Sequence, residues 1–301
     1  MTIRKVAVVL IAGAVLIAAF TAFVWPGWFG GDDAPEGSLV YQGDVHIFTV
    51  RADGEGAREF AVAHEGKVGF PRYSPDGREL AFIGDADGIE DLFVADANGA
   101  NQRSLAPTPG VREGAPAWSP DGRTIVFTSM RDGNWEIYSI NPDGTGLRRL
   151  TNDPAVDVGP VFSPDGRTIA FSSDRGGSED SHLYLMSIDG TGVRQITSGE
   201  DESAPDFSPD GRSIAYVGFT AGNADVWIAD ADGSDAHRIT TDERFDYGPR
   251  WSPDGRWIAF ERYLTRQPDI FLMHPDGSAV RKVTRSDGYA GAPAWRPVRA
   301  G

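Results

Sequence analysis

Five copies of Ser-Pro-Asp-Gly-Arg, beginning at Ser74, Ser119, Ser163, Ser208 and Ser252, recur every 44 or 45 residues. A fixed period of this length confines the chain to architectures in which one supersecondary unit stacks on its own copies. Each copy has the same grammar. A proline (Pro71, Pro116, Pro160, Pro205, Pro249, Pro293) is followed two residues later by an aromatic: Tyr73, Trp118, Phe162, Phe207, Trp251, Trp295. In five copies Ser-Pro-Asp-Gly then makes a tight turn, proline pre-setting φ and glycine closing it. A second strand follows ("TIVFTS", "TIAFSS", "WIAFER"), then a variable loop and a third strand ("EIYSIN", "DIFLMH"). An Asp-Gly or Asn-Gly turn leads to a short fourth strand such as "RRLT" or "RKVT". The unit is a four-stranded antiparallel meander that cannot cover both its faces alone, so copies must pack around an axis.

The two ends show how the ring closes. Residues 39–62 supply a second, third and fourth strand with no first strand, whereas "APAWRP", 44 residues after the last full turn, supplies a first strand with nothing after it. Together they complete one sheet. The expected fold is all-β: a six-bladed β-propeller over 39–301, closed by three N-terminal strands and one C-terminal strand.

The pattern P-x-W-S-P-D-G-R-x-I-A-F, followed by I-Y and D-G-x-x-x-R-x-L-T, resembles the WD40-like (PD40) repeats of the TolB propeller family over about 39–298. The resemblance implies a six-bladed propeller whose channel mouth receives partner peptides. The chain departs from full-length TolB proteins in showing an apolar segment where they carry a small N-terminal domain. Similar propellers precede the hydrolase domain of prolyl-oligopeptidase-type enzymes, and no such domain is expected here.

Arg4 and Lys5 precede an apolar run, Val6–Trp25, long enough as a helix to span about 30 Å of hydrocarbon. A cleaved signal has a shorter apolar region and a small-residue cleavage site, for which Ala19-Phe20-Thr21 is a poor match. The expectation is therefore a short cytoplasmic end with a signal-anchor helix (1–25), a flexible linker (26–38) and an extracytoplasmic propeller on a single-pass membrane protein. Secretion after signal cleavage is the alternative. Trp25, Trp28 and Phe29 would lie at the far interface.

Composition narrows the chemistry. The 301 residues include no cysteine, which excludes disulfides, thiolate metal sites and cysteine nucleophiles. A formal charge of −16 with no concentrated basic face argues against nucleic acid. No Gly-x-Ser-x-Gly, His-Glu-x-x-His or phosphate-cradling loop occurs. The five histidines (His46, His64, His182, His237, His274) lack metal-ligand spacing and read as surface or strand residues. The aspartates of both turn types, Asp76, Asp121, Asp165, Asp210 and Asp254, and Asp53, Asp143, Asp189, Asp232 and Asp276, read as turn formers. "GDADGIED" and "DADGSD" do not fit a calcium loop.

One position invites a ligand. Three residues before each first-strand proline stand Val68, Glu113, Asp157, Glu202, Asp246 and Ala290, so four consecutive blades carry a carboxylate at the equivalent point. Glu113, Asp157, Glu202 and Asp246 are the candidate binding residues. They read either as caps for their own loops or as an acidic arc at the channel mouth for a basic peptide or a divalent cation. Arg72 and Arg250 would neutralise part of that arc. No cofactor is required. The expected function is a monomeric, membrane-tethered module binding an envelope protein or peptide, with a glycan as another candidate ligand. The alternative is a metal-assisted propeller enzyme acting on an extracellular polysaccharide.

Overall fold

The computed structural model describes residues 35–60, 66–86, 88–177, 180–285 and 288–297. The apolar run at 6–25 and the linker up to residue 34 lie outside the described residues. Six four-stranded antiparallel sheets are present. Blade 1 is closed as the two broken copies require: its order is β24 (Gly291–Trp295), β1 (Ser38–Gln42), β2 (Ile47–Arg51), β3 (Arg58–Phe60). Leu39 pairs with Trp295 and Val40 with Ala294 across the closure. The other first strands are β4 (Val68–Tyr73), β8 (Glu113–Trp118), β12 (Asp157–Phe162), β16 (Glu200–Phe207) and β20 (Asp246–Trp251), one per blade from 2 to 6.

The second strands are buried on both faces, not in alternation, because both faces of each blade are covered by its neighbours. Ile125, Val126 and Phe127 in β9 (Ile125–Ser129) are all fully buried. Six hydrophobic clusters result, each joining two adjacent blades; Leu39, Val50, Trp257, Leu272 and Trp295 form the one that closes the ring between blades 6 and 1. Every blade adds one directly opposed aromatic pair between its second and third strands, for example Phe171–Tyr184 at 5.8 Å and Phe260–Phe271 at 5.9 Å. Such pairs add roughly 0.5–1.5 kcal/mol beyond area burial. Fourth strands are the exposed edges. Those of blades 2 to 6 are only two residues long and arginine-bearing, such as β11 (Arg148–Arg149) and β23 (Arg281–Lys282), which discourages edge pairing with other chains.

The repeated turn does two jobs. Within it, Ser119 Oγ donates to Asp121 Oδ1, Asp121 Oδ1 accepts the Arg123 amide, and Thr124 N–H returns to Ser119 Oγ. The same set recurs at Ser74, Ser163, Ser208 and Ser252. These bonds hold the carboxyls of Asp76, Asp121, Asp165 and Asp210 below the ordinary aspartate range. Between blades, Gly122 (φ 70°) faces Pro75 of the preceding turn; a Cβ there would lie 3.7 Å from the proline ring, and Gly166, Gly211 and Gly255 meet Pro120, Pro164 and Pro209 likewise. The turns thus nest on one another around one face of the ring.

Candidate functional site: the central channel

The first strands line the channel, and their shared sequence acts position by position. The residue before each proline has a positive φ in all six blades: Phe70 (51°), Ala115 (45°), Gly159 (63°), Ala204 (53°), Gly248 (57°) and Ala292 (48°). Each sits within a register shift against the second strand or, in blade 1, against β1, so every first strand carries a bulge that bends it at the channel wall. The proline that follows brings no N–H to leave unpaired there. Glycine meets this geometry without strain, whereas an L-residue in the left-handed region costs about 1–2 kcal/mol. Phe70 is the extreme case: a large ring in a strained backbone, 46% exposed.

Next come the residues after the prolines: Arg72, Ala117, Val161, Asp206, Arg250 and Ala294. All six line the turn-side end of the channel, a cavity of about 270 Å³, together with the six aromatics Tyr73, Trp118, Phe162, Phe207, Trp251 and Trp295. Trp118 and Trp295 donate their indole N–H to the carbonyls of Arg72 and Arg250, at 3.0 and 3.1 Å. The opposite mouth is a cavity of about 410 Å³ walled by Phe70, Ala115, Pro116, Trp135, Pro160 and Ala204. An exposed ion pair, Arg112 Nη2–Glu90 Oε1 at 2.9 Å, stands on its rim with the Arg112 guanidinium 5.9 Å from the Trp135 ring centre. Arg72, Val161 and Arg250 border both cavities and form the waist.

The waist is charged. Arg72 Nη1 donates to Pro71 O at 2.8 Å and Pro293 O at 3.4 Å, and Arg250 Nη1 makes the matching contacts to Pro249 O and Pro205 O at 2.8 and 3.4 Å. Burial, and then the charge of Arg250, push the Arg72 guanidinium down to about 9. Asp206 Oδ2 accepts Trp251 N–H and Glu261 Oε1 accepts Ala292 N–H, both at 2.7 Å, while burial raises both carboxyls.

The four periodic carboxylates occupy equivalent points but do not form an open acidic socket. Glu113, Asp157 and Asp246 begin their first strands and Glu202 is the third residue of its own; all four are buried. Each also has its own counter-group. Glu113 pairs with Arg131 and accepts Leu92 N–H (2.9 Å), Asp157 takes Arg175 Nη2 (2.6 Å), Glu202 takes His182 Nδ1 (3.1 Å), and Asp246 takes Arg262 Nε and Nη2 (2.7 Å each). Buried charge requires such pairing. Only Glu113 reaches the mouth cavity. At the same position Val68 and Ala290 are simply apolar and buried.

A second set of acids, at the start of third strands, was not singled out by the sequence reading. Glu136, Asp225 and Asp269 are buried and pair with Arg149 (2.7 Å), Arg238 (3.2 Å) and Lys282 (2.8 Å) of the fourth strands. The threonine ending each fourth-strand motif ties the set together. Thr284 Oγ1 donates to Asp269 Oδ1 (2.9 Å) and accepts Ile270 N–H (3.0 Å), and Thr151 does the same for Glu136 and Ile137. Blade 2 has Ala106 in place of that threonine, and the longer Glu113 of the next blade takes over Leu92 N–H. Blade 4 has His182 in place of the acid, and it pairs forward to Glu202. The signal was present in the leading residues of "EIYSIN", "DVWIAD" and "DIFLMH", read against the threonine of "RRLT".

Glu113 gives a pH prediction. Burial raises its carboxyl to about 7, against the opposing effects of the Leu92 amide and Arg131. The folded state therefore binds this proton more tightly than the unfolded chain, so the stabilisation is complete below about pH 4.5 and is lost as pH rises through 7. Glu113→Gln removes the titration. Urea midpoints of the wild type should fall between pH 5 and 8 relative to those of the variant; parallel pH profiles would show that Glu113 does not titrate in this window.

The strands define a six-bladed β-propeller with a cavity at each end of its channel. Among the described residues, no group of three or more histidines, aspartates or glutamates is placed to hold a metal ion. The chain belongs to the TolB β-propeller (PD40) family, whose model matches residues 51–203 and 199–299. Among solved structures it is similar to TolB from Acinetobacter baumannii (24% identity, TM-score 0.78, covering 89% of this chain and 68% of that one). It is also similar to a putative TolB from Agrobacterium tumefaciens (22%, TM-score 0.68, 88% and 100%) and to a chain of a nidogen/laminin complex (12%, TM-score 0.72, 86% and 98%). At these identities the likeness is one of fold. No curated protein matches the chain.

Proposed function

We propose that this chain is a membrane-tethered, extracytoplasmic propeller that binds a protein or peptide partner in the cell envelope through the mouth of its channel. The tether and the location rest on the apolar run Val6–Trp25 behind Arg4 and Lys5. Partner binding accords with TolB family membership and with one of the similar structures being a protein complex. The observation that carries the reading is Phe70. Its backbone is strained at a position where two other blades use glycine, and its ring is displayed at a mouth walled by alanine, proline and tryptophan. Strain retained beside a cavity is a mark of function, and an apolar concave wall with a polar rim suits an extended peptide.

The internally paired carboxylates set blade spacing in this reading, and recognition falls to Phe70, Trp135 and the residues beneath them. Phe70→Gly separates the two roles. Relief of the positive φ should stabilise the fold by about 1 kcal/mol, while envelope partners captured by the wild-type full chain should no longer be retained. A variant that is stabilised yet retains its partners unchanged would place recognition elsewhere.

A further inference from the structure

The waist holds two guanidiniums with unused donors. Among the described residues, Arg72 and Arg250 each spend only Nη1 on proline carbonyls, and neither makes an ion pair. Guanidinium groups stay protonated in proteins, and two like charges at a narrow, low-dielectric waist repel. Asp206 and Glu261 attract both guanidiniums but make no ion pair with them among the described residues, and one oxygen of each accepts a backbone amide at 2.7 Å. What remains is an Nε and an Nη2 donor on each guanidinium, in residues that border both cavities. A planar anion with two acceptor oxygens is the group that such forks take best.

We infer that Arg72 and Arg250 form a carboxylate-binding seat at the waist of the channel, filled by the carboxylate of a peptide segment that enters past Phe70. The choice of a peptide rests on the proposed function; the seat itself does not. The wall between mouth and waist suits an extended peptide, with apolar contact from Phe70, Ala115, Pro116, Val158, Pro160 and Ala204 beside the hydroxyls of Thr128, Ser172 and Ser203. The carboxylate is either a chain terminus or an Asp or Glu side chain, and both present the same two oxygens. The acidic arc expected from sequence would have selected a basic segment; the lumen selects an acidic one.

The test uses the full chain labelled with 15N at arginine, with the Nε–Hε signals of Arg72 and Arg250 assigned by their loss in Arg72→Gln and Arg250→Gln. Sodium propionate is titrated against sodium chloride at equal ionic strength. Propionate should shift both signals saturably and chloride should not. In Arg72→Gln the Arg250 signal should respond with about tenfold weaker affinity, as expected for one lost charge-assisted contact. Arg72→Lys, which keeps the charge but loses the fork, should weaken binding less than Arg72→Gln does. Three peptides then locate the source: acetyl-Gly-Pro-Ala-Leu as free acid, its amide, and the amide of acetyl-Gly-Pro-Ala-Glu. Preference for the free acid over both amides assigns a chain terminus, and equal binding of the glutamate amide assigns a side chain. Equal shifts with chloride, no shift with propionate, or unchanged affinity in a folded Arg72→Gln would each overturn the seat. If mouth binding of envelope partners survives both glutamine variants, the seat fails while the proposed function stands. If propionate binds but no peptide does, the reverse holds.

Discussion

Replacing Arg262 with methionine is expected to destabilise the propeller by about 3–5 kcal/mol, the cost of leaving one partner of a buried ion pair alone. Arg262 holds Asp246 through two 2.7 Å bonds, with both side chains almost wholly withdrawn from water, and also lies 3.4 Å from Asp242. Its guanidinium stacks 5.2 and 5.3 Å from the rings of Phe260 and Phe271. Methionine keeps much of that packing, so the loss isolates the charge. Burial already raises the Asp246 carboxyl, against the pairing that opposes it. Without Arg262 it rises further. The folded state then holds a proton that the unfolded chain releases near its ordinary value, and the penalty grows as pH increases above about 4. Thermal unfolding should show a drop of roughly 10 °C at neutral pH, smaller at pH 5 than at pH 8. Adding Asp246→Asn to the variant should restore most of the loss, because the orphaned charge goes with it. A loss under about 1 kcal/mol, independent of pH, would mean that the pair is not buried as described.

Ending the chain at residue 290 is expected to have a still larger effect, abolishing cooperative unfolding. The deletion removes β24 and leaves β1 with an unpaired edge where Leu39, Val40 and Gln42 had partners. It also removes Trp295, which packs in the cluster between blades 6 and 1 and donates to Arg250 O. An exposed apolar edge of this kind templates association, so the truncated chain should elute as aggregate. Adding a peptide of residues 288–301 during refolding should recover monomer. A truncated chain that unfolds in one sharp transition near the wild-type midpoint would show that closure contributes little.

The architecture was legible because repetition carries it. The 44-residue period, the strand grammar and the two complementary partial copies each map onto an observed strand or closure. The candidate site was legible in part. Periodicity singled out the four carboxylates as candidate binding residues; the structure buries all four, each against its own counter-group. Their direction was hidden by the bulge. Glu113 and Ala117 lie four residues apart, so strict alternation places them on one face; the extra residue at Ala115 breaks that alternation, putting the glutamate between blades and the alanine at the lumen. Their counter-groups were hidden too, since Arg131 and Arg175 lie 18 residues downstream in variable loops while Glu202 relies on His182 of the preceding blade. Arg72 and Arg250 were visible as basic groups beside the arc, but their place at the waist with Asp206 needed the position after each proline to be read across six copies.

The central claim, that partners enter at the mouth of the channel, is tested most directly by site-specific photocross-linking in the native envelope. A photoreactive residue would replace Phe70 or Trp135 at the mouth, or Leu147 or Ile188, of which the last two are exposed apolar residues away from the channel lining. Discrete adducts from the two mouth positions, competed by unmodified chain and absent from Leu147 and Ile188, are the predicted result. Adducts from the outer positions alone would contradict recognition through the channel.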